Sequence, residues 1–439
     1  MASFGDTHLI PLLSTAAARV VPLLGNLLEW YSFAIYGYLA QPLGEAFFPA
    51  ESASAALLNS FAVFAVGFLM RPIGSLVLGP LADLHGRRRM LSLSLLLMGG
   101  SSLLIGLLPT RMEWGGIATM LLVLLRMVQG FSVGGEYTGS IAFTAELAAS
   151  HRRGLFCSFT SSGAQIGIAL ASLAVAVCSA VLGEAGLMQW GWRLPFLVGG
   201  VVLLPAVWMQ QRVPEMLPQG LELHPSGRPR ALLRSIAAEL RMVLIHRRLL
   251  LQVMALVCTS NVLFYLFFVF LVSHSSETAA DGVASRTITS AVQLAGIGIA
   301  TMAGWLVDRF RLIPVSVVGT VAMLATAVPA LAIGLGGTPT SLLWSLLIAT
   351  PALMLILGSQ GLLAVAIAPS RQRCGVFSIA YSTSVALFGG TAPLVATWLL
   401  NQSFPPAAVM LYLLPFAAAT CWALWQSRRL TADLLGDNH

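Results

Sequence analysis

Gly79-Pro-Leu-Ala-Asp83-Leu-His-Gly86-Arg87-Arg88-Arg89 packs two glycines, one acid and three arginines between long apolar runs. Gly304-Trp-Leu-Val-Asp308-Arg309-Phe-Arg311 repeats the idea in worn form, its aspartate 225 positions after the first. A Gly-x-x-x-Asp with arginines at the mouth of a helix pair, repeated at half-chain distance, points to two equivalent halves. If the halves move against each other, this loop sits at their hinge.

The flanking runs set the solvent. Of 439 residues, 57% are hydrophobic and 9% charged, against about 25% charged in a soluble domain. Lipid, not water, surrounds such a chain. The formal charge of +7 rests on 24 basic residues, every one an arginine. They cluster in short loops, where anionic headgroups and the positive-inside bias account for them. No basic patch interleaved with aromatics appears, so nucleic acid is not an expected partner. Five cysteines lie in or beside apolar runs without a CxxC pair, and seven histidines fall in loops or tails. That pattern supports no disulfide framework, no metal site and no cofactor. The N-terminus lacks a charged n-region and a cleavage site, so the first apolar run is expected to stay as a helix.

A membrane helix needs about 20 mostly apolar residues. By that measure the first six spans fall near 18–40, 55–79, 89–109, 115–147, 154–182 and 191–210. The second six fall near 249–272, 286–307, 313–335, 341–367, 375–400 and 406–427. The fourth and fifth windows are longer than a membrane needs, which implies tilt or extension into loops. With the N-terminus inside, the inner loops and tail collect most of the arginines, while Arg111, Arg193 and Arg286 stand outside beside acids such as Glu45, Glu184 and Glu277. The asymmetry predicts cytoplasmic termini.

Residues 211–248 are the one substantial break, with four prolines at its start and a basic surface helix expected over 230–248. Gly154-Leu-Phe-Cys-Ser-Phe-Thr-Ser161 is similar to Gly375-Val-Phe-Ser-Ile-Ala-Tyr-Ser382 at an offset of 221. Two alike halves of even span number run in the same sense, as in parallel-repeat transporters. The expected fold is therefore an all-α membrane protein of twelve transmembrane helices in two pseudo-symmetric six-helix bundles. The bundles take residues 1–210 and 249–439, with a cytoplasmic linker at 211–248.

The motifs resemble those of the major facilitator superfamily. Asp83 in the loop quoted first matches its loop 2–3 signature, and Arg126-x-x-Gln129-Gly130 its fourth-helix signature. More narrowly, four phrases resemble the metabolite:proton symporter family, which carries citrate, 2-oxoglutarate, shikimate, and proline or betaine. They are Gly25-Asn-Leu-Leu-Glu29-Trp-Tyr31, Arg71-Pro-Ile-Gly74, Gln129-Gly-Phe-Ser-Val-Gly134-Gly135-Glu136-Tyr137 and Phe388-Gly-Gly-Thr-Ala-Pro393. Two departures matter: Ser32 stands where the family usually has aspartate, and Ser382 where it often has asparagine.

An ionised side chain at the bilayer centre costs on the order of 3 kcal/mol. Glu29, Arg126 and Glu136 lie well inside their spans and are therefore expected to face one another or a wet cavity. Arg126 and Glu136 are about 15 Å apart along one helix, too far to pair, which makes Glu29 the expected partner of Arg126. Arg126 is expected to bind anionic substrate or a carboxylate, and Glu29, with Glu136 as a second candidate, to take up the proton. The bland alternative is a structural Glu–Arg pair tying the first and fourth helices. Arg71 reads as a structural residue snorkelling towards the inner interface.

Tyr36, Gln129, Gln165, Asn261, Tyr265, Gln293 and Tyr381 are expected to line the substrate path. Asp83, Arg87, Glu146, Arg153 and Asp308 are expected to gate its inner side. No phosphate loop, nucleophile elbow or HExxH occurs. The sequence thus predicts a proton-coupled secondary symporter of a small polar metabolite, an organic carboxylate or zwitterion, working by alternating access as a monomer in a bacterial inner membrane. Its rivals are an exporter or antiporter of a carboxylate-rich metabolite or siderophore on the same fold and, remotely, a membrane-embedded transferase.

Overall fold

In lipid, a spanning backbone satisfies its polar groups only as a helix or a closed barrel, and these apolar runs are helices. The computed structural model describes residues 12–49, 52–134, 136–210, 229–279, 282–367, 373–402 and 404–435, with no strand among them. α1 spans Leu12–Tyr38, α2 Ala53–His85, α3 Arg87–Leu107 and α4 Gly116–Ser132. α5 is Arg153–Gly186 and α6 Arg193–Gln210. A linker helix, Pro229–Ile245, precedes α7 (Arg247–Tyr265), α8 (Gly282–Phe310), α9 (Leu312–Gly334) and α10 (Pro339–Ile367). α11 begins at Arg373–Ser384 and α12 covers Leu414–Leu435. α7 passes through a π turn, Leu266–Phe270, into Leu271–Ala279; α11 passes through another, Val385–Gly389, into Ala392–Asn401.

The fourth expected span is not one helix. It stops at Ser132 and resumes as Glu136–Leu147. Gly134 lies at the break, pressed so closely on α2 that a Cβ there would stand 2.2 Å from the Ser75 amide nitrogen. Four residues further back along the same contact, a Cβ on Gly130 would lie 1.7 Å from the Gly67 carbonyl oxygen. Small residues of this kind let membrane helices meet backbone to backbone.

α7 is central and α12 peripheral: 94% of the most apolar stretch of α7 is buried, against 28% for the span ending in α12. The outer surface of the bundle carries exposed Leu104, Val177, Val181, Val198, Val318 and Trp344, side chains suited to acyl chains rather than water.

The two halves touch at both ends and between them. At the arginine-rich end, the Asp308 carboxylate of α8 accepts hydrogen bonds from the amides of Gly154 (2.7 Å) and Leu155 (2.9 Å) at the start of α5. At mid-depth, Gln293 Nε2 of α8 donates to Gln165 Oε1 of α5 over 3.4 Å. At the opposite end, Arg286 Nη1 of α8 meets Glu184 Oε1 of α5 at 3.0 Å and Ser179 Oγ at 3.1 Å. α2 and α11 form the other seam, with Ser75 and Ser382 hydroxyls 3.1 Å apart. Arg286, expected as a loop arginine at the outer face, is instead 4% exposed and paired across the halves. The side chains of Asp83, Arg87, Glu136 and Glu146 lie outside the described residues, as does the 211–228 part of the linker.

Candidate substrate and proton site

Two helical stripes build the site. On α1, Glu29, Phe33 and Tyr36 recur at i, i+4 and i+7, one face of the helix. On α2, Ser60, Phe64, Phe68, Arg71 and Ser75 follow the same period. Where the stripes meet, Glu29 Oε1 faces Arg71 Nη2 at 3.7 Å, both side chains almost wholly buried. The Arg71 guanidinium also covers the Trp30 ring at 4.9 Å and lies 5.7 Å from the centroids of both Phe33 and Phe68.

Arg126 comes from α4 and is fully buried. Its guanidinium carbon lies 4.4 Å from the Phe33 centroid and 4.3 Å from that of Tyr36. Phe33 thus has both guanidinium groups near its ring, and the negative ring faces offset part of the cost of burying two cations. Arg126 Nη1 donates to Gln129 Oε1 at 2.8 Å, and Gln129 Nε2 donates to Ser102 Oγ of α3 at 2.9 Å.

The second half closes the cluster with tyrosines. Tyr265 of α7 sets its ring edge-to-face against Phe68 at 5.1 Å. Tyr381 of α11 lies 5.1 Å from Tyr137, which in turn meets Trp30 at 5.8 Å. Tyr36 accepts from Ser60 Oγ at 3.5 Å.

The expected pairing of Glu29 with Arg126 is corrected by this geometry. Glu29 is paired with Arg71, and Arg126 is held by Gln129 and by aromatic faces. Arg71, expected to snorkel, is 1% exposed, because α2 turns its polar stripe inward against α1. Tyr36 lies against Arg126, Tyr265 against Phe68, and Tyr381 joins the cluster through Tyr137.

Other expected lining residues have partners within the protein. Both ends of the Gln129 amide are bonded within the protein. Gln165 and Gln293 bond each other across the α5–α8 seam. Asn261 donates to its own helix at Val257 O, 2.8 Å away. Arg153 is exposed at the arginine-rich end, beside the α5 start that Asp308 caps. Ser32, the departure from the family acid, is buried and faces α6, its Oγ 3.5 Å from the Cβ position of Gly199. It is therefore turned away from the arginine cluster.

Arg71, Trp30, Phe33, Phe64 and Phe68 were not among the expected site residues. The period of the α2 stripe was the available signal: one arginine in register with two phenylalanines and two serines marks an inward face.

Several donors in this cluster have no hydrogen-bond partner among the described residues. They are Nε and Nη1 of Arg71, Nε and Nη2 of Arg126, and the Tyr265 hydroxyl. An unmet buried donor costs about 1–3 kcal/mol, more when charged. Among the described side chains of the cluster, two arginines face one glutamate, an excess of positive charge. Convergent unmet donors with a positive balance suit an anionic group such as a carboxylate.

Fold and cluster together define a polytopic carrier with an ionic site between two helical halves. The profile of the Major Facilitator Superfamily matches residues 23–382, and the chain belongs to that superfamily. It is 32% identical over 417 residues to the proline/betaine transporter of Salmonella typhimurium, covering 91% of this chain and 81% of the relative. It is 33% identical over 435 residues to the citrate-proton symporter of Klebsiella pneumoniae, covering 95% of each. The alpha-ketoglutarate permease of Escherichia coli is 32% identical over 379 residues, 85% of this chain and 84% of the relative. Among solved structures, the proton:xylose symporter XylE matches with a TM-score of 0.73 at 20% identity, covering 93% of this chain and 94% of that one. That last likeness is one of fold.

Proposed function

We propose that the chain is a proton-coupled symporter of a small zwitterionic carboxylate, of the proline or betaine kind. The observation that carries this reading is the set of unmet guanidinium donors on Arg71 and Arg126, enclosed by aromatic rings from both halves. A substrate carboxylate fits those donors. The aromatic rings suit the ammonium end.

Coupling follows from competition for one carboxylate. Ionised Glu29 is held by Arg71 across 3.7 Å, an attraction on the order of 4 kcal/mol at an effective dielectric of about 20. A substrate carboxylate drawing on Arg71 weakens that hold and favours a proton on Glu29, so proton and substrate load together. Glu136 serves as a second acid. Asp308, with Asp83, Arg87, Glu146 and Arg153, gates the arginine-rich end, which faces the cytoplasm of a bacterial inner membrane with both termini. The protein works as a monomer and catalyses no covalent chemistry.

Uptake into proteoliposomes of glycine betaine, proline, citrate and 2-oxoglutarate, with and without a pH gradient, tests this. Substrate-dependent alkalinisation of the outer medium supports symport; acidification marks antiport and overturns it. A dicarboxylate is the second reading, favoured by the presence of two arginines. It predicts 2-oxoglutarate uptake that glycine betaine does not inhibit.

A further inference from the structure

At the end opposite the arginine-rich loops, a cavity of about 280 Å³ lies between the halves. Ser54 from the start of α2 forms one wall, Phe270, His274 and Glu277 from the far part of α7 a second, and Thr397 and Asn401 from the end of α11 a third. Glu277 is twelve residues beyond Tyr265, about 18 Å further along the helix, so the cavity is distinct from the arginine cluster.

Its chemistry is the inverse of that cluster. No arginine is among its lining residues, and Glu277 supplies a carboxylate. Glu45, exposed on the short helix Ala40–Phe47 of the other half, is close enough to act electrostatically on Glu277. The rings of Phe270 and His274, both lining the cavity, are stacked 5.8 Å apart at 14°, which makes this wall aromatic. Thr397 is 5% exposed, and its hydroxyl has no hydrogen-bond partner among the described residues. An acid, an aromatic wall and an unmet hydroxyl together suit an ammonium group that also carries polar atoms. Asn401 Nδ2 donates to the Ser54 carbonyl at 3.3 Å, so the walls belong to both halves and part when the halves do.

We infer that this cavity is a second binding site, one that takes the ammonium end of a small solute before it reaches the arginine cluster. The order of the two sites rests on the zwitterion reading above; the existence of the ammonium site does not. A solute approaching from this face meets the acidic cavity with its cationic end. Its carboxylate then points inward, towards Arg71 and Arg126.

The test uses the full-length protein in detergent and choline as the probe, an ammonium without a carboxylate. Wild type and Arg126→Ala are expected to bind choline alike. Glu277→Gln and Thr397→Val are expected to weaken binding about tenfold or more, the scale of one lost charge-assisted contact, with Thr397→Ser retaining it. Unchanged thermal unfolding of each variant separates this from misfolding. In proteoliposomes, Glu277→Gln is expected to raise KM for glycine betaine and leave the maximal rate. Choline binding that is indifferent to both substitutions, or that disappears in Arg126→Ala, overturns the site. If choline binding falls in Glu277→Gln while no zwitterion is transported, the site stands and the proposed cargo fails. If zwitterion uptake proceeds but choline binds nowhere, the reverse holds.

Discussion

Phe33 lies near two guanidinium groups, at 4.4 and 5.7 Å, and its ring offsets part of the cost of holding both in a low-dielectric setting. Arg126→Lys keeps the charge but loses the planar stacking and the fork that meets Gln129. Glycine betaine KM is expected to rise about tenfold or more, the scale of a contact to a charged group, as measured by initial-rate uptake. Gln129→Leu leaves the same guanidinium with a further unmet donor, and a loss of about 1–3 kcal/mol in thermal stability is expected. Glu29→Gln is expected to abolish accumulation driven by a pH gradient and to spare counterflow exchange. Gradient-driven accumulation at the wild-type level in that variant would remove Glu29 from the coupling step. Buried charges in an apolar run are expensive enough to announce themselves, so Glu29 and Arg126 were legible in the sequence. Their partners were not, because pairing depends on how α1, α2 and α4 rotate about their axes. Arg71 looked peripheral for the same reason: its distance from the arginine-rich loop suggested snorkelling, and only the stripe it shares with Phe64 and Phe68 turns it inward.

Helix against helix, the α2–α4 contact leaves no room for a side chain at Gly130. Gly130→Ala forces the Gly67 carbonyl away, and overpacking of that kind costs about 1–3 kcal/mol. A lowered unfolding temperature in detergent, with Arg126 displaced and substrate binding weakened together, is the expected result. The break in the fourth span has the same origin. Hydropathy reads 115–147 as one run, since Val133-Gly134-Gly135 is apolar enough to pass; the interruption comes from backbone contact with α2, which a one-dimensional pattern does not contain. The linker helix was read more closely, 230–248 against the observed Pro229–Ile245, because prolines upstream and a basic amphipathic period are local signals.

Across the whole molecule, α5 and α8 are joined by unlike devices at their two ends. Asp308 meets the positive end of the α5 dipole through two amide hydrogen bonds, and Arg286 meets Glu184 through an ion pair. Asp308→Asn is expected to shift the population towards states open at the arginine-rich end, and Arg286→Met towards states open at the other. Inter-probe distances from pulsed electron resonance, with labels on α5 and α8 near each end, measure both shifts. Because Glu184 is 39% exposed, the ion pair contributes on the order of 1 kcal/mol, and the larger effect is expected from Asp308→Asn. The repeat of Gly-x-x-x-Asp at half-chain distance marked Asp308 in the sequence as a residue at the meeting of the halves. The ion pair was hidden, since Arg286 and Glu184 are 102 positions apart and each reads alone as a loop charge.

The π turns in α7 and α11 each hold a surplus residue in an otherwise regular coil. Because the surplus is absorbed within one turn, Phe267 could be lost with ordinary winding restored and the residues on either side kept in register. Tyr265 would keep its seat against Phe68, and His274 and Glu277 their wall. The wide turn therefore sets the aim of its own five residues and not the alignment of the two chambers that α7 joins.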